Sequence, residues 1–448
     1  MRVVQLPHLP LSNARLRRVV LENIRSFEHA DITLERDGQI TPWTVIVGDN
    51  GTGKSTVLKA IALALSTPKD AVALFETDTR GEWLRAGATS GSITIELEQL
   101  GQALTSTLSI TRRPYGEALD AVTNGEVWLD SLFVCGYGAS RRTLRSDMQR
   151  SYSTRNAVAT LFDPEASLQD PELALRRFLS SSSGEFDPLR AIDNVLLLPP
   201  GSTKLGDHGL EVRGQWGFSA PVASLSDGYR STLSWVLDLL GWVFLRSPEM
   251  LWNGLQGQIL IDEVEQHLHP SWQRRIIGAL RRQFPRVQFI VTTHASLCVT
   301  GTTDLSDDEV SLVHLGWNGD AVQAQSGLRP PRGLRADQIL TSYLFGLETT
   351  TDDETKHEIE RLAALLAQPT EASTAEVEQL RSKLHEKLGS EETALGREAS
   401  AVVDDVLSAH LNAVIAERAN MPEALSLEVR RQLQELLRPR EDDQNRLP

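Results

Sequence analysis

One glycine-rich segment of the sequence ends in lysine and serine, a combination that suits phosphate binding. Residues 48–55 read Gly-Asp-Asn-Gly-Thr-Gly-Lys-Ser and fit the spacing G-x-x-x-x-G-K-[ST] of a P-loop. They follow a short apolar run and precede apolar residues at helical spacing, so backbone N–H groups and a helix N-terminus can converge on phosphate oxygens. The pattern predicts a site for ATP and Mg²⁺ in which Lys54 reaches the β- and γ-phosphates and Ser55 holds the metal. The motif residues are Gly48, Asp49, Asn50, Gly51, Thr52, Gly53, Lys54 and Ser55.

Two carboxylates form a second pattern that suits phosphate chemistry. Residues 258–261 read Gln-Ile-Leu-Ile, which predicts a buried strand, and Asp262 and Glu263 follow it directly. Asp262 is placed to enter the Mg²⁺ shell, directly or through water, and Glu263 to orient the water that attacks the γ-phosphate. The pair therefore predicts hydrolysis of the bound ATP.

A serine–glycine motif and a histidine extend the same interpretation. Ser226 and Gly228 stand at the start of an apolar helix, where they act either as a second phosphate site or as a simple helix cap. His294 ends the apolar segment 289–293, and one helix separates that segment from Glu263. Because ligands bind at the carboxyl edge of open α/β sheets, we expect His294 to contact the γ-phosphate.

The elements that must position these residues alternate between strands and helices. The sequence predicts an α/β fold with a mostly parallel sheet, an antiparallel β subdomain and a helical C-terminal region. Strands are expected at 16–27, 44–47, 92–97, 104–110, 132–135, 258–262 and 287–292. We expect an ATPase head over residues 1–330, with an insertion at about 141–220, and a helical assembly region over 331–448.

Composition and charge limit the classes of function. The net charge is −15, and residues 348–448 contain 22 acidic and 12 basic residues, so this C-terminal part carries −10 of it. An arginine strip, formed by Arg141, Arg142, Arg145, Arg150 and Arg155, is either a local nucleic-acid contact or a solvated segment. No apolar stretch is long enough to span a membrane, and two cysteines cannot form a disulfide framework. We expect a cytoplasmic protein.

The order of these motifs resembles that of ABC-type ATPases, in particular the RecF, SMC, Rad50 and OLD branch. The opening residues 21–27, Leu-Glu-Asn-Ile-Arg-Ser-Phe, and residues 262–270, Asp-Glu-Val-Glu-Gln-His-Leu-His-Pro, are similar to segments of that branch. The resemblance implies two subunits that enclose two ATP molecules, with Ser226 and Gly228 contacting the γ-phosphate of the partner subunit's site. It also implies that Thr56 joins the phosphate site and that Arg25 and Phe27 lie near the adenine.

Three departures from that family affect the expected site. Asp227 replaces the more usual glycine of the signature motif, and no glutamine follows the strand at 132–135. Ser140 and Arg141 are the candidates that this leaves for a γ-phosphate contact. About 85 residues separate this loop from the signature, which excludes long coiled-coil arms. His267 and His269 have the spacing of a metal pair, but the resemblance places them in a dimer-contact loop.

Residues 334–347 are similar to a segment of ATPases from two-gene bacterial antiviral systems such as Septu, which work with a separate HNH nuclease. The leading hypothesis is an ATP-hydrolysing regulatory subunit of an antiphage complex. It would form a homodimer or a higher homo-oligomer and control a separate effector, an HNH-type nuclease, without being a nuclease itself. The alternative is a RecF-like DNA-repair ATPase that binds DNA through Arg141, Arg142 and Arg145. The absent glutamine disfavours a transporter subunit.

Overall fold

The structure, a computed structural model, describes residues 13–388 apart from short gaps. The gaps are residues 79–80, 122–125, 144–150, 182–186, 207–208, 215–216, 247–253 and 368–372. The chain forms two compact units, Met1–Gly346 and Leu347–Pro448. Among the described helices, none has the length and apolar character needed to cross a membrane.

The first unit contains the strands and most of the helices. The strands are β1 (Arg15–Ile24), β2 (Phe27–Thr33), β3 (Glu35–Arg36), β4 (Gln39–Ile40), β5 (Trp43–Gly48), β6 (Ser90–Gln99), β7 (Gln102–Arg113), β8 (Gly116–Ala121), β9 (Val134–Tyr137), β10 (Thr203–Gly206), β11 (Gly209–Arg213), β12 (Ser219–Pro221), β13 (Gly257–Ile261), β14 (Val287–Thr292), β15 (Val310–Asn318) and β16 (Ala321–Leu328). The helices are α1 (Lys54–Ala64), α2 (Pro68–Thr77), α3 (Glu126–Leu129), α4 (Thr154–Phe162), α5 (Pro171–Ser181), α6 (Pro188–Val195), α7 (Asp227–Arg246), α8 (Pro270–Gln273), α9 (Ile276–Gln283), α10 (Ser296–Thr302) and α11 (Ala336–Leu340).

A six-stranded sheet organises the first unit. Its strand order is β16-β15-β5-β14-β13-β9, and all neighbouring pairs are parallel except β15 with β16. Every residue of β5, β13 and β14 is buried, as expected for parallel strands that are covered on both faces. This confirms the predicted α/β class with a mostly parallel sheet.

The two faces of this sheet support separate apolar cores, because successive side chains of a strand point to opposite faces. On one face, Ile46 packs with α1 and with the antiparallel sheet. On the other, Val45 and Val47 pack with α6, α7 and α9. The P-loop therefore begins at the carboxyl end of a central strand, in a sheet that is packed on both faces.

The antiparallel subdomain has the strand order β2-β1-β6-β7-β8. The opening segment, expected as a single strand over 16–27, is instead the β1–β2 hairpin with its turn at Arg25 and Ser26. Asn23 and Arg25 have φ values of 53° and 49°, a left-handed conformation that is uncommon outside glycine. The sequence gives little sign of such a turn, because neither residue is a glycine or a proline.

Residues between β9 and α7 form the region that was expected as an insertion. They contain α4, α5, α6 and a small sheet with the order β10-β11-β12. α7 then runs through the core with all of residues 231–243 buried. It begins at Asp227, one residue after the expected start at Ser226.

The second unit contains a described helical hairpin, α12 (Asp353–Ala367) and α13 (Ser373–Leu388). Ile359, Leu362 and Leu384 form its small apolar core, and Lys383 and Lys387 pair with Glu358 across the hairpin. Residues 389–448 lie outside the described part of the chain. Residues 331–346, which the sequence assigned to the helical region, contribute Ile339 and Leu344 to the core of the first unit.

Candidate functional site

Four parallel strands bring the predicted site residues to one edge of the central sheet. β5 ends at Gly48, β13 ends just before Asp262, and β14 ends two residues before His294. β9 ends at Tyr137, whose main-chain oxygen accepts the Asp262 N–H at 2.8 Å. Because all four strands are parallel, their carboxyl ends form a common edge. The sequence prediction that these segments meet is therefore fulfilled in the fold.

Close packing requires two of the loop glycines. A side chain at Gly48 would collide with the main-chain oxygen of Leu315, and one at Gly53 would lie 2.7 Å from the ring of Phe27. Gly53 also has a φ of 86°, a left-handed conformation in which it starts α1 without a side-chain cap. The first N–H groups of α1 thus face the loop, where they can donate hydrogen bonds to phosphate oxygens.

The P-loop lysine is buried at the centre of the loop. Lys54 Nζ donates to the main-chain oxygens of Gly48 at 2.7 Å and Asp49 at 2.8 Å. Burial lowers the pKa of Lys54 to about 8, although the carboxylates of Asp262, Asp49 and Glu263 favour its charged form. A phosphate anion next to Nζ would restore the preference for the ammonium form.

Thr292 connects the two acidic residues that follow β13. Its hydroxyl donates to Asp262 Oδ1 at 2.6 Å and accepts the Glu263 N–H at 2.8 Å. Thr292 is fully buried, and Glu263 has a φ of 49°, which a side-chain-bearing residue adopts only when its surroundings hold it there. Sequence reasoning did not identify Thr292, although its position at the end of β14 beside Asp262 follows from the strand pairing.

A third carboxylate, which sequence reasoning missed, holds the histidine segment. Glu265 Oε1 accepts the His294 main-chain N–H at 2.5 Å, while Glu265 Oε2 is buried without a hydrogen-bond partner in the described part of the chain. The His294 side chain is half-buried at the sheet edge. The geometry thus brings His294 and Glu263 to neighbouring positions, as predicted, and adds Glu265 between their segments.

The donor set at this edge fits a magnesium ion. Ser55 supplies a hydroxyl in the first turn of α1, and Asp262 supplies a carboxylate after β13. Mg²⁺ prefers such oxygen ligands, and it usually takes only one or two protein carboxylates together with phosphate oxygens and water. Ser55 and Asp262 would therefore hold the ion that neutralises charge on the phosphates.

The signature residues lie at the start of α7. Ser226 and Asp227 are exposed, and Asp227 pairs with Arg230 at 2.5 Å. A side chain at Gly228 would collide with the main-chain oxygen of His267, so only glycine lets α7 approach the loop after Glu263 so closely. This packing explains Gly228 within one chain, and it leaves Ser226 on the surface.

Arg25 and Phe27 have structural contacts. Arg25 donates to Asp78 Oδ2 at 2.9 Å and lies over the ring of Trp83, 4.4 Å from its centroid. Asp78 in turn accepts from Lys59 of α1 at 2.8 Å. Phe27 is fully buried beneath Gly53. These contacts tie the antiparallel sheet to the P-loop helix, and the expected position of both residues near the adenine stays a prediction.

The arginine strip is divided by the structure. Arg141 points into the protein and donates to the main-chain oxygens of Asp262 and Glu263, so it does not belong to an exposed strip as predicted. Arg142 is exposed and pairs with Glu165. Arg145 and Arg150 lie outside the described residues. The expected nucleic-acid contact of the strip is thus reduced to residues other than Arg141.

Asp304, Asp307 and His269 are engaged in contacts of their own. Asp304 pairs with Arg274 at 2.5 Å, and Asp307 pairs with Arg36 at 2.7 Å. His269 accepts the Ser271 N–H and so caps α8. Within the described ranges, no group of three or more His, Cys, Asp or Glu side chains is placed to bind a metal ion.

Sequence comparisons find similarity to AAA domains and to two bacterial proteins. A family model described as "AAA domain" matches residues 18–153, and one described as "AAA domain, putative AbiEii toxin, Type IV TA system" matches residues 144–298. The chain is 28% identical over 394 residues to a Septu protein PtuA of Bacillus mycoides (strain KBAB4). This match covers 84% of this chain and 51% of that protein. It is 38% identical over 113 residues to the Retron Ec83 probable ATPase of Escherichia coli, covering 25% of this chain and 20% of the relative.

Among solved structures, the SMC head domain from Thermotoga maritima has a TM-score of 0.39 and 16% identity, covering 69% of this chain and 98% of that structure. The chain spans about half the length of the Septu relative and a fifth of the retron relative. The strand order, the P-loop and the AAA-domain matches give the first unit the α/β fold of a P-loop ATPase head.

Proposed function

We propose that this chain is an ATP-binding and ATP-hydrolysing subunit of a bacterial antiphage defence complex. The observation that carries the chemical part is the shared sheet edge, where the P-loop, Asp262, Glu263 and the bridging Thr292 meet. The similarity to a Septu protein over 84% of the chain supports the defence role. The similarity to a retron ATPase agrees with it.

In the proposed reaction, the chain positions ATP and water rather than reacting with them covalently. The N–H groups at the start of α1 and the ammonium of Lys54 bind the phosphates. Ser55 and Asp262 would hold Mg²⁺, which would neutralise charge on the phosphate oxygens. Glu263 orients the attacking water and accepts its proton. Its carboxylate is held in position because Thr292, at the end of the neighbouring strand, fixes its main chain. His294 contacts the γ-phosphate from the end of β14.

We further propose that two copies of the chain complete each ATP site. Ser226 is exposed at the start of α7, where its hydroxyl, together with the N–H of Gly228 in the first turn, would meet a phosphate of a second subunit. Gly228 packs against the loop that carries His267, so a contact made by α7 would be transmitted to the segment after Glu263. Hydrolysis would then depend on the assembly of a homodimer or a higher homo-oligomer.

The proposed output is control of a separate effector, a nuclease of the HNH type. The described residues offer no metal-binding acidic cluster, and Asp304 and Asp307 are paired with arginines. The second unit, which is acidic and contains the α12–α13 hairpin, would serve assembly and effector docking. The complex would act in the cytoplasm, where phage nucleic acid is present.

Expression of the native operon in a phage-sensitive host tests this function. We expect the wild-type operon to lower plaque counts and Lys54→Ala to abolish the protection, because that change removes the phosphate-binding ammonium. Affinity purification of the chain from the same cells should recover a second protein with nuclease activity. Protection that survives Lys54→Ala would contradict the proposal, and sensitivity to DNA damage without any effect on phage would favour the RecF-like alternative.

A further inference from the structure

The loop after β9 contains two residues that could contact the γ-phosphate, and the structure separates them. Ser140 Oγ donates to the main-chain oxygen of Pro164 at 2.9 Å, so its hydroxyl is used within the segment that follows α4. Arg141 extends instead toward the segment that follows β13. Its Nη2 donates to the main-chain oxygen of Asp262 at 3.1 Å and to that of Glu263 at 2.8 Å. Arg141 is thus anchored to the two residues on which the proposed hydrolysis depends.

The rest of the Arg141 guanidinium has unused hydrogen-bonding capacity. Nε and Nη1 are buried and have no hydrogen-bond partner in the described part of the chain. A guanidinium carries five N–H donors, and the two on Nη2 account for the contacts with Asp262 and Glu263. Folded proteins rarely leave the donors of a buried charge without acceptors, because the lost hydration is costly. The three remaining N–H groups therefore have no acceptor among the described residues, and oxygens of a bound ligand would satisfy them.

The electrostatic surroundings keep this buried arginine charged and place it among the site carboxylates. Burial lowers the pKa of Arg141 to about 10, while Glu265, Asp262 and Glu263 favour its charged form. Arg141 is therefore a cation at neutral pH. These acids approach it without forming an ion pair with its side chain, since the hydrogen bonds of Nη2 go to main-chain oxygens.

We propose that Arg141 binds the γ-phosphate of ATP through Nε and Nη1 while Nη2 stays anchored to Asp262 and Glu263. This inference rests on the proposed ATPase function. Arginine suits the contact because its planar donors match two oxygens of one phosphate. Its anchor on Glu263, which positions the attacking water, places it on the γ-phosphate side of the nucleotide.

A consequence is that Arg141 distinguishes ATP from ADP. ADP lacks the γ-phosphate and leaves Nε and Nη1 unsatisfied, whereas ATP supplies acceptors for both. The same contact would also affect the backbone of Glu263, which has a left-handed conformation. Thr292 accepts its N–H, and Arg141 donates to its main-chain oxygen. Arg141 would therefore link recognition of ATP to the position of the hydrolytic carboxylate.

Nucleotide binding to the purified full-length chain tests this assignment. The dissociation constants of ATP and ADP are measured by competition with a fluorescent nucleotide, in a Glu263→Gln background that prevents turnover. For Arg141→Met we expect ATP to bind about 10- to 100-fold more weakly, the effect of losing charge-assisted hydrogen bonds. ADP binding should change less than about threefold, since ADP offers no acceptor to Nε and Nη1. Arg142→Met is the matched control, because Arg142 is exposed and pairs with Glu165.

A merely structural role gives a different pattern. If Arg141 only holds the Asp262–Glu263 segment, Arg141→Met weakens ATP and ADP equally or affects neither, and either result overturns the proposal. Arg141→Lys covers the case in which the methionine variant does not fold, because lysine keeps the charge but cannot reach two carbonyls and a phosphate together. ATP binding at the wild-type level in Arg141→Lys also overturns it. The ATPase function fails separately, if the wild-type chain binds ATP over ADP but releases no phosphate.

Discussion

Thr292→Val is the substitution that most directly probes how the acidic pair is positioned. Valine keeps the shape of threonine but removes the hydroxyl that donates to Asp262 Oδ1 at 2.6 Å and accepts the Glu263 N–H at 2.8 Å. A hydrogen bond to a carboxylate contributes about 1.5–3 kcal/mol and a neutral one about 0.5–1.5 kcal/mol. Because Thr292 is fully buried, water cannot replace these bonds, and we expect a loss of about 3 kcal/mol in the free energy of unfolding.

The neighbouring Thr293 provides a matched control. It is also fully buried, but its hydroxyl accepts the Ala295 N–H at 3.0 Å and otherwise contacts only the neutral thiol of Cys298 among the described residues, not a carboxylate. Thr293→Val should cost about 1 kcal/mol. Urea unfolding measures both losses, and phosphate release measures the consequence for catalysis, where Thr292→Val should lower kcat about 10- to 100-fold through misplacement of Glu263. Equal stabilities and equal kcat values for the two variants would refute the role assigned to Thr292.

Three further predictions concern the lysine, the signature and the second unit. Because burial lowers the pKa of Lys54 to about 8, the free protein loses this proton as pH rises past 8, and its stability should increase between about pH 8 and the ordinary lysine value of 10.5. ATP binding at pH 8.5 should then take up a proton in calorimetry, and uptake that persists in Lys54→Met would exclude Lys54 as its source. Ser226→Arg should bind ATP without hydrolysing it, and mixing it with Lys54→Ala should restore activity above the sum of the two variants; no such gain would count against composite sites. Deletion of residues 348–448 should lower the number of subunits per assembly in solution while ATP binding persists, and an unchanged subunit number would argue against a role in assembly.

The sequence predicted the part of the site that depends on local pattern. The P-loop, Asp262 and His294 each follow a short apolar run, and a buried parallel strand leaves its next residues at the carboxyl edge of the sheet. That rule sufficed to bring the phosphate loop and the acidic pair together. It also sufficed for the α/β class, because strand and helix periodicities alternate along the first unit.

Contacts between distant segments could not be predicted in the same way. Arg141 lies in a sequence segment rich in arginine, which is typical of an exposed basic strip. In the structure, however, β9 lies beside β13 and directs the Arg141 side chain toward Glu263. Thr292 and Glu265 belong to no motif that the sequence reveals. The β13–β14 pairing places Thr292 beside Asp262 and Glu265 beside His294. The turn at Arg25 was missed because its left-handed backbone is stabilised by Asp78 and Trp83, far along the chain.

Phosphate release by the Glu263→Gln variant tests the central claim, that the carboxylate after Asp262 drives hydrolysis at this sheet edge. Glutamine keeps the size of the side chain but cannot accept a proton, so we expect the rate to fall about 10²- to 10⁴-fold. The dissociation constant of ATP should stay within about threefold of the wild-type value, because Lys54 and the P-loop remain intact. Glu265→Gln is the control, since its amide oxygen can still accept the His294 N–H, and its loss of rate should be smaller. A wild-type rate in Glu263→Gln, or an equal loss in Glu265→Gln, would contradict the account.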